Sequence, residues 1–338
     1  MRLNNSQLKS LELLTQGKEI LFITTKKFDY IRNTQEIELL KGISNSVTVL
    51  GYMNTRYLIR LIKIYFKLFF MPLKQFDLIF VGFAPQLIIP LFYWRFKSKI
   101  IVEDFFISFY DTLIFDRKKF QKGSRIAKFI FWIDKFTINK SNFVITDTKA
   151  HRDYFISEFS LEKTKSDVLY LEADYTIYSP HFTNKMEQWK NKFVVLYFGS
   201  ILPLQGVDTI LECIKLLEED DNIVFDIIGP ISKLLLQKYE GLQNVCFTKW
   251  LPQKELAEHI SAADLCLAGH FNKTISKAFR TIPGKAYIYN AMEKPMILGE
   301  NTANREIFEE DNEMNFYVEM GNAEKLKSAI LYVKSICL

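Results

Sequence analysis

The sequence predicts an α/β protein built as two domains, each a parallel sheet with helices on both faces. Three observations predict it. The chain has 338 residues, long for one core and comfortable for two. Of these, 49% are apolar, which allows sizeable cores and argues against disorder. Short β-rich apolar runs alternate with helical patterns, the signature of strands joined by crossover helices.

In the first half, Glu19–Thr24, 47–50, 77–83, 99–102 and 142–146 are strand candidates separated by helical stretches, and 167–170 closes the series. The run 78–94 is almost wholly apolar, but Gly82, Pro85, Gln86 and Pro90 interrupt it and Asp77 and Arg95 bracket it. A buried strand, a turn and a buried helix fit that pattern better than a membrane-spanning helix. The stretch Tyr178-Ser-Pro-His181 reads as a linker, giving domains of 1–180 and 181–338. In the second half, Phe193–Phe198 is a strand ending at Gly199, followed by a helix over 207–217. Strand Ile223–Ile228 is closed by Gly229-Pro230, and a helix precedes strand Val245–Thr248. An amphipathic helix over Gln253–Ala262 leads to a strand at 264–268. Pro283 suits the first position of the next helix. A strand at 295–298, a short helix at 303–309, a strand at 316–318 and a helix from Asn322 complete the pattern. Sheets of this kind bind ligands outside the carboxyl ends of their strands.

Cys213, Cys246, Cys266 and Cys337 form no CxxC pair, and three of them lie in apolar or helical patterns, as buried reduced thiols of a cytoplasmic protein do. Four histidines without an HxxxH or Cys/His cluster give no reason to expect a metal site. Residues 1–7 lack the apolar core of a secretion signal. Charge is uneven: residues 1–186 carry 28 Lys+Arg against 18 Asp+Glu, and the remainder 16 against 21. The basic half is expected to meet an anionic partner. Within it, 53–72 holds Arg56, Arg60, Lys63 and Lys67 at spacings of four, three and four, among otherwise apolar and aromatic residues. That spacing places the four cations on one helical face. A basic stripe on an aromatic-rich helix is expected to lie on an anionic membrane surface, each cation contributing on the order of 1 kcal/mol. The alternative is a core helix with one basic solvated face. No RNP, helix-turn-helix or zinc-finger pattern points to nucleic acid.

The segment from Asp264 to Ile297 is the most informative. Lys277, Arg280 and Lys285 lie in the loop and first helical turn after a parallel strand. Cations converging on a helix amino terminus suit a diphosphate. A second helix start at Asn301-Thr302-Ala303-Asn304 is placed to take another phosphate, and Gly199-Ser200 allows close backbone approach. Three segments here resemble a known family. They are Tyr197-Phe-Gly-Ser-Ile-Leu-Pro-Leu-Gln-Gly-Val-Asp208, Trp250-Leu-Pro-Gln-Lys-Glu-Leu256 through Ala263-Asp264, and Ile282-Pro-Gly-Lys-Ala-Tyr-Ile-Tyr-Asn-Ala-Met-Glu-Lys-Pro-Met-Ile297 with Thr302-Ala-Asn-Arg-Glu306. In that order they resemble the donor-binding half of GT-B glycosyltransferases of the large retaining family 4. The resemblance spans nearly all of 193–330. It is looser in the first half, through Phe76-Asp-Leu-Ile-Phe80, Asp104…Asp111…Asp116-Arg117 and Ile145-Thr-Asp-Thr148.

The resemblance implies two Rossmann-like domains with parallel sheets facing across a cleft, and transfer of a sugar from a nucleotide-diphosphate donor to a lipid-linked or glycan acceptor. It implies phosphate binding and leaving-group stabilisation by Arg280 and Lys285 without a metal. Trp250 and Leu251 would contact the base. Gly199, Ser200 and Gln205 would line the diphosphate and sugar, and Thr302, Ala303 and Glu306 the later donor turn. His270, just after a strand, is placed to contact the donor sugar, the plainer reading being an ordinary loop histidine. The basic stripe of 53–72, and not the resemblance, gives the expectation of a cytoplasmic protein held peripherally on the inner face of the cell membrane. Asp104, just past a strand of the first domain, has the chemistry of a base or of a stabiliser of positive charge on the sugar, with Glu103, Asp111 and Asp116 as rivals. The plainer reading of Asp104 is a cap or loop carboxylate. Asp147 and His151 stand four apart, as a cap and a helix-surface histidine do. Departures from the family pattern are Ser200 and Gln205 for the usual Arg and Lys, Ile288 for the ribose-binding Glu, Gly284 for Asn and Glu293 for Gly. They leave open a non-catalytic GT-B subunit, and the fold also admits a nucleotide-sugar 2-epimerase.

Overall fold

A computed structural model describes residues 8–54, 56–231, 237, 239, 241–311 and 313–337. The chain divides into two compact units, one up to Glu172 and one from Ala173 onward.

The first unit runs α1 (Lys9–Thr15), β1 (Glu19–Thr24), α2 (Ile31–Ile43), β2 (Ser46–Leu50), α3 (Tyr57–Phe70), β3 (Leu78–Phe83), α4 (Ile89–Phe96), β4 (Ile100–Asp104), α5 (Arg125–Lys140), β5 (Phe143–Thr146), α6 (Lys149–Phe159) and β6 (Ser166–Val168). Its strands form one parallel sheet in the order β2-β1-β3-β4-β5-β6. The step from β1 to β2 runs one way across the sheet, and the steps from β2 to β3 and onward to β5 run the other. Right-handed crossovers therefore put α2 on one face and α3, α4 and α5 on the opposite face. The alternation of side chains along β1 records both. Ile20 and Phe22 pack with Leu11, Ile37 and Leu40 of α1 and α2, while Leu21 and Ile23 pack with Ile64, Leu68, Phe92 and Phe96 of α3 and α4. A third core joins Ile130 and Ile138 of α5 to Phe155 and Phe159 of α6. Two findings differ from expectation. Helix α4 is buried on one side only, with Leu91 and Trp94 standing in solvent. The long connection after β4 holds a π-helical turn over Asp111–Asp116, which apolar periodicity does not announce.

The second unit runs β7 (Phe193–Phe198), α7 (Val207–Leu216), β8 (Ile223–Ile228), β9 (Val245–Thr248), α8 (Gln253–Ala262), β10 (Leu265–Gly269), α9 (Gly284–Ala291), β11 (Met296–Gly299), β12 (Asn315–Val318) and α10 (Ala323–Cys337). Its parallel sheet has the order β12-β11-β10-β7-β8-β9. The order reverses between β7 and β10, so the switch point of the sheet lies at their carboxyl ends. Helix α10 packs beside α7, with Leu326, Ile330 and Val333 fully buried and Lys334 paired with Asp220 at 2.8 Å. Pro283 sits one residue before the helix as its cap, since its ψ of 131° is extended. The helix expected at 303–309 is only a 3₁₀ turn over Asn304–Glu306. The helix expected before Val245 falls largely on residues 232–236, 238 and 240, outside the described residues, as does segment 1–7.

Candidate functional site

Four strands of the second unit reach their carboxyl ends at glycines, and these glycines pack against one another's loops. A Cβ on Gly229, after β8, would lie 2.2 Å from the carbonyl oxygen of Gly199, after β7. A Cβ on Gly206 would lie 2.4 Å from the Phe271 backbone, and one on Gly299 2.0 Å from the carbonyl oxygen of His270. No side chain fits at those distances, so the loops after β8, β7, β10 and β11 form a continuous backbone rim. The hydrogen bond from Phe271 N to Gln205 O, 3.0 Å, fastens two of them.

Lys285, in the first turn of α9, extends into this rim. Its Nζ donates to Gln205 Oε1 and lies 4.8 Å from the centre of the Tyr197 ring. It would be 3.7 Å from a Cβ on either Gly199 or Gly269. Burial alone pushes its ammonium down to about 7. His270 is buried beside it. Burial, and then the charges of Lys285 and Lys277, push its imidazole down to about 3, so it is neutral at physiological pH. Lys285 stands at the amino end of α9, where the helix dipole is positive. The structure thus brings Gly199, Gln205, His270, Lys277 and Lys285 together within one unit.

The other residues expected to bind a donor have different settings. Arg280 closes the 3₁₀ turn Ser276–Phe279 and is half-buried, as is Lys277 on that turn. Ser200 is exposed in the loop after β7. Trp250, 67% exposed, and the half-buried Leu251 lie in the loop after β9. Ala303 is fully buried, Thr302 exposed and Glu306 half-buried on the single 3₁₀ turn. That turn is fastened by Asn301, whose Oδ1 accepts from Asn304 N at 2.6 Å and whose Nδ2 donates to Ala278 O at 2.9 Å. Instead of a second helix start, β11 is followed by an asparagine-braced turn. Ile288 is half-buried on α9.

Asp104 is corrected by the structure. It ends β4, is fully buried, and both its oxygens accept from Arg32, at 2.6 and 2.7 Å. Burial opposes the charge of Arg32 and Asp104 outweighs it, so the guanidinium is held more firmly protonated than usual. Arg32 also donates to Leu169 O at 2.6 Å, fastening α2 to the carboxyl ends of β4 and β6. A carboxylate gripped at both oxygens by a buried guanidinium is a structural ion. Its neighbours Glu36 and Glu103 are buried, which raises both carboxyls well above their usual range. The polar residue that periodicity missed is Asp134 of α5. It accepts from Ser108 Oγ at 2.7 Å, Tyr110 N at 2.8 Å, Phe109 N at 3.2 Å and Gln86 Nε2 at 3.0 Å, and so shapes the loop after β4. His151 is fully buried on α6, 2.7 Å from Asp147.

The basic stripe is also corrected. Lys63 and Lys67 are exposed and Arg56 precedes the helix in solvent, but Arg60 is 5% exposed. Its guanidinium donates to Thr25 O at 3.3 Å and to Asn54 O, and stacks 5.3 Å from Tyr57. It lies one turn before Ile64 and two before Leu68, the sheet-facing row, so it turns inward to loop carbonyls.

A cavity of about 150 Å³ in the second unit is lined by Asp226, His259, Lys185 and Trp189 and not by Lys285. His259 Nδ1 lies 2.6 Å from Asp226, which raises the imidazole pKa. Among the described residues no group of three His, Cys, Asp or Glu side chains is placed to hold a metal ion, and no helix is long and apolar enough to cross a membrane.

Comparison with known proteins fits this geometry. Residues 192–334 match the family model described as "Glycosyl transferases group 1". A stretch of 149 residues is 27% identical to the probable glycosyltransferase WbjE of Pseudomonas aeruginosa, covering 42% of this chain and 34% of that protein. The chain thus spans about a third of the length of the curated relative it matches. HepE of Anabaena, solved with UDP, superposes with a TM-score of 0.64 at 13% identity, over 94% of this chain and 90% of that one. Sucrose-phosphate synthase of Thermosynechococcus elongatus superposes with a TM-score of 0.66 at 12% identity over the same shares, 94% and 90%. At such identities the likeness speaks for the fold alone. The chain is of the GT-B fold, and residues 192–334 of its second unit match a group 1 glycosyltransferase domain.

Proposed function

We propose that the chain transfers a sugar from a nucleotide-diphosphate donor to a lipid-linked or glycan acceptor in the assembly of a cell-surface polysaccharide. The observation that carries this reading is the convergence of Lys285, Gln205 and the amino end of α9 on the glycine rim after β7 and β10. A diphosphate there meets backbone N–H groups, a buried cation and no side-chain bulk. Arg280 adds a second cation, and neutral His270 offers the sugar a hydrogen-bonding group without repelling Lys285. In the reaction the bond from the sugar C1 to the phosphate oxygen breaks and one to the acceptor oxygen forms. The acceptor proton passes to the departing phosphate, whose charge Lys285 and Arg280 stabilise. Retention of configuration follows from the family resemblance. Asp104 is left out of the chemistry because Arg32 occupies it.

HepE was solved with UDP and with UDP-glucose, so uridine diphosphates head the panel of donors to test. Thermal-shift measurements against nucleotide sugars and free nucleoside diphosphates should show a rise in Tm with one base. Arg280→Ala and Lys285→Ala should lose that rise while remaining folded. The second reading, a non-catalytic partner subunit, is favoured by Ile288 at the place of a ribose-binding carboxylate. No shift with any donor in folded wild-type protein would support it against the transferase.

A further inference from the structure

The same-face placement of α3, α4 and α5 has a result that the sequence stripe did not show. Their outer surface is apolar. Ile62, Phe66 and Phe69 of α3, Trp94 of α4, and Phe129 and Trp132 of α5 are each between 52% and 68% exposed. The rings connect across the helices. Phe69 meets Trp94 at 6.4 Å, Tyr93 meets Phe136 at 6.0 Å, Phe136 meets Trp132 at 5.2 Å, and Trp132 stacks on Phe129 at 6.0 Å. Arg95 locks α4 to α3 by donating to the carbonyls of Phe69 and Met71 at 2.8 Å. A monomer seldom leaves so many large apolar side chains contiguous in water without a use for them.

Charge identifies the use. Exposed Lys63, Lys67, Arg125, Lys128 and Lys140 are interleaved with the rings, and the only acidic residue of the three helices, Asp134, is fully buried. We infer that this three-helix face docks on an anionic lipid bilayer. Its aromatic side chains enter the interface between head groups and chains, and its lysines meet lipid phosphates. Tryptophan and phenylalanine beside lysine match the layered polarity of that interface. At 14 residues α3 is about 21 Å long, too short to span and suited to lie in the plane. A second copy of the chain fits less well, because a two-fold pairing of this face would set lysine against lysine. The inference goes beyond the transferase reading and stands without it.

The test is flotation of the full chain with vesicles of phosphatidylcholine, alone or with phosphatidylglycerol. The chain should float with the mixed vesicles, and added salt should weaken the binding. The triple variant Phe66→Ser, Trp94→Ser, Trp132→Ser should lose about tenfold or more in partitioning, with Tm held, because these side chains are exposed. Lys63→Glu with Lys67→Glu should abolish the preference for phosphatidylglycerol. Unchanged partitioning of the triple variant would overturn the inference. So would absence of vesicle binding together with a dimer in sedimentation that the triple variant dissolves, which would assign the face to a second copy.

Discussion

Lys285 is held near the middle of its titration at neutral pH, and what holds it there is desolvation by burial. A diphosphate arriving next to its Nζ favours the ammonium and raises that pKa again. Below about pH 7 the lysine is charged before and after binding, so affinity changes little. Above about pH 7 each binding event must take up a proton, and affinity should fall by up to about tenfold per pH unit. Calorimetry of nucleoside diphosphate binding at about pH 8, in buffers of different ionisation heat, should register that uptake. Lys285→Arg should bind with no proton uptake, since a guanidinium stays charged throughout. Equal uptake in both proteins would assign the proton to another group. His259 has the opposite sign in the fold itself. Its pKa is raised by Asp226, so its stabilising contribution is full below about pH 6.5 and is lost as pH rises through the higher folded value.

Among elements, the loops after β7, β8, β10 and β11 act through their backbones. Gly229→Ala should place a methyl against Gly199 O, cost about 1–3 kcal/mol as an overpacked site does, and lower Tm by several degrees. Because the displaced residue is Gly199, donor affinity should fall too, although Gly229 lies one strand away from Lys285. A Gly229→Ala protein with wild-type Tm and binding would mean the rim is less tightly set than its distances indicate. This rim was only partly legible in the sequence. Gly199 stands out by its place after a strand, and the strands themselves are plain because buried parallel strands appear as apolar runs. The contacts of Gly229, Gly269 and Gly299 depend on which loops become neighbours, and that follows from strand order, which periodicity does not carry. Spacing alone misplaces Arg60 for a related reason. Spacing puts it on a face with Lys63 and Lys67, but the sheet decides which row turns inward, and loop carbonyls at Thr25 and Asn54 accept a buried cation. In α4, eight nearly all-apolar residues have no polar side to mark the surface, so the exposure of Trp94 could not be read.

At the scale of the whole chain, the two units divide the work by charge and by content. Gly199, Gln205, His270, Lys277, Arg280 and Lys285 all belong to the unit that begins at Ala173, which has its own sheet and its own core. A fragment starting there should fold and keep the nucleotide-dependent thermal shift of the full chain, within about threefold in affinity. Loss of that binding in a folded fragment would show that the first unit contributes to the donor site. The excess of basic residues and the aromatic face both belong to the other unit, and Asp104 there serves architecture through Arg32.

A lysine enclosed among Tyr197, Gln205 and glycine backbone is a poor choice for a protein under pressure only to endure. An uncharged side chain of the same length would sit there without the penalty of burying an ammonium. Breeding this chain for heat resistance alone would discard Lys285 early, and the hardier descendants would be the ones least able to hold a phosphate.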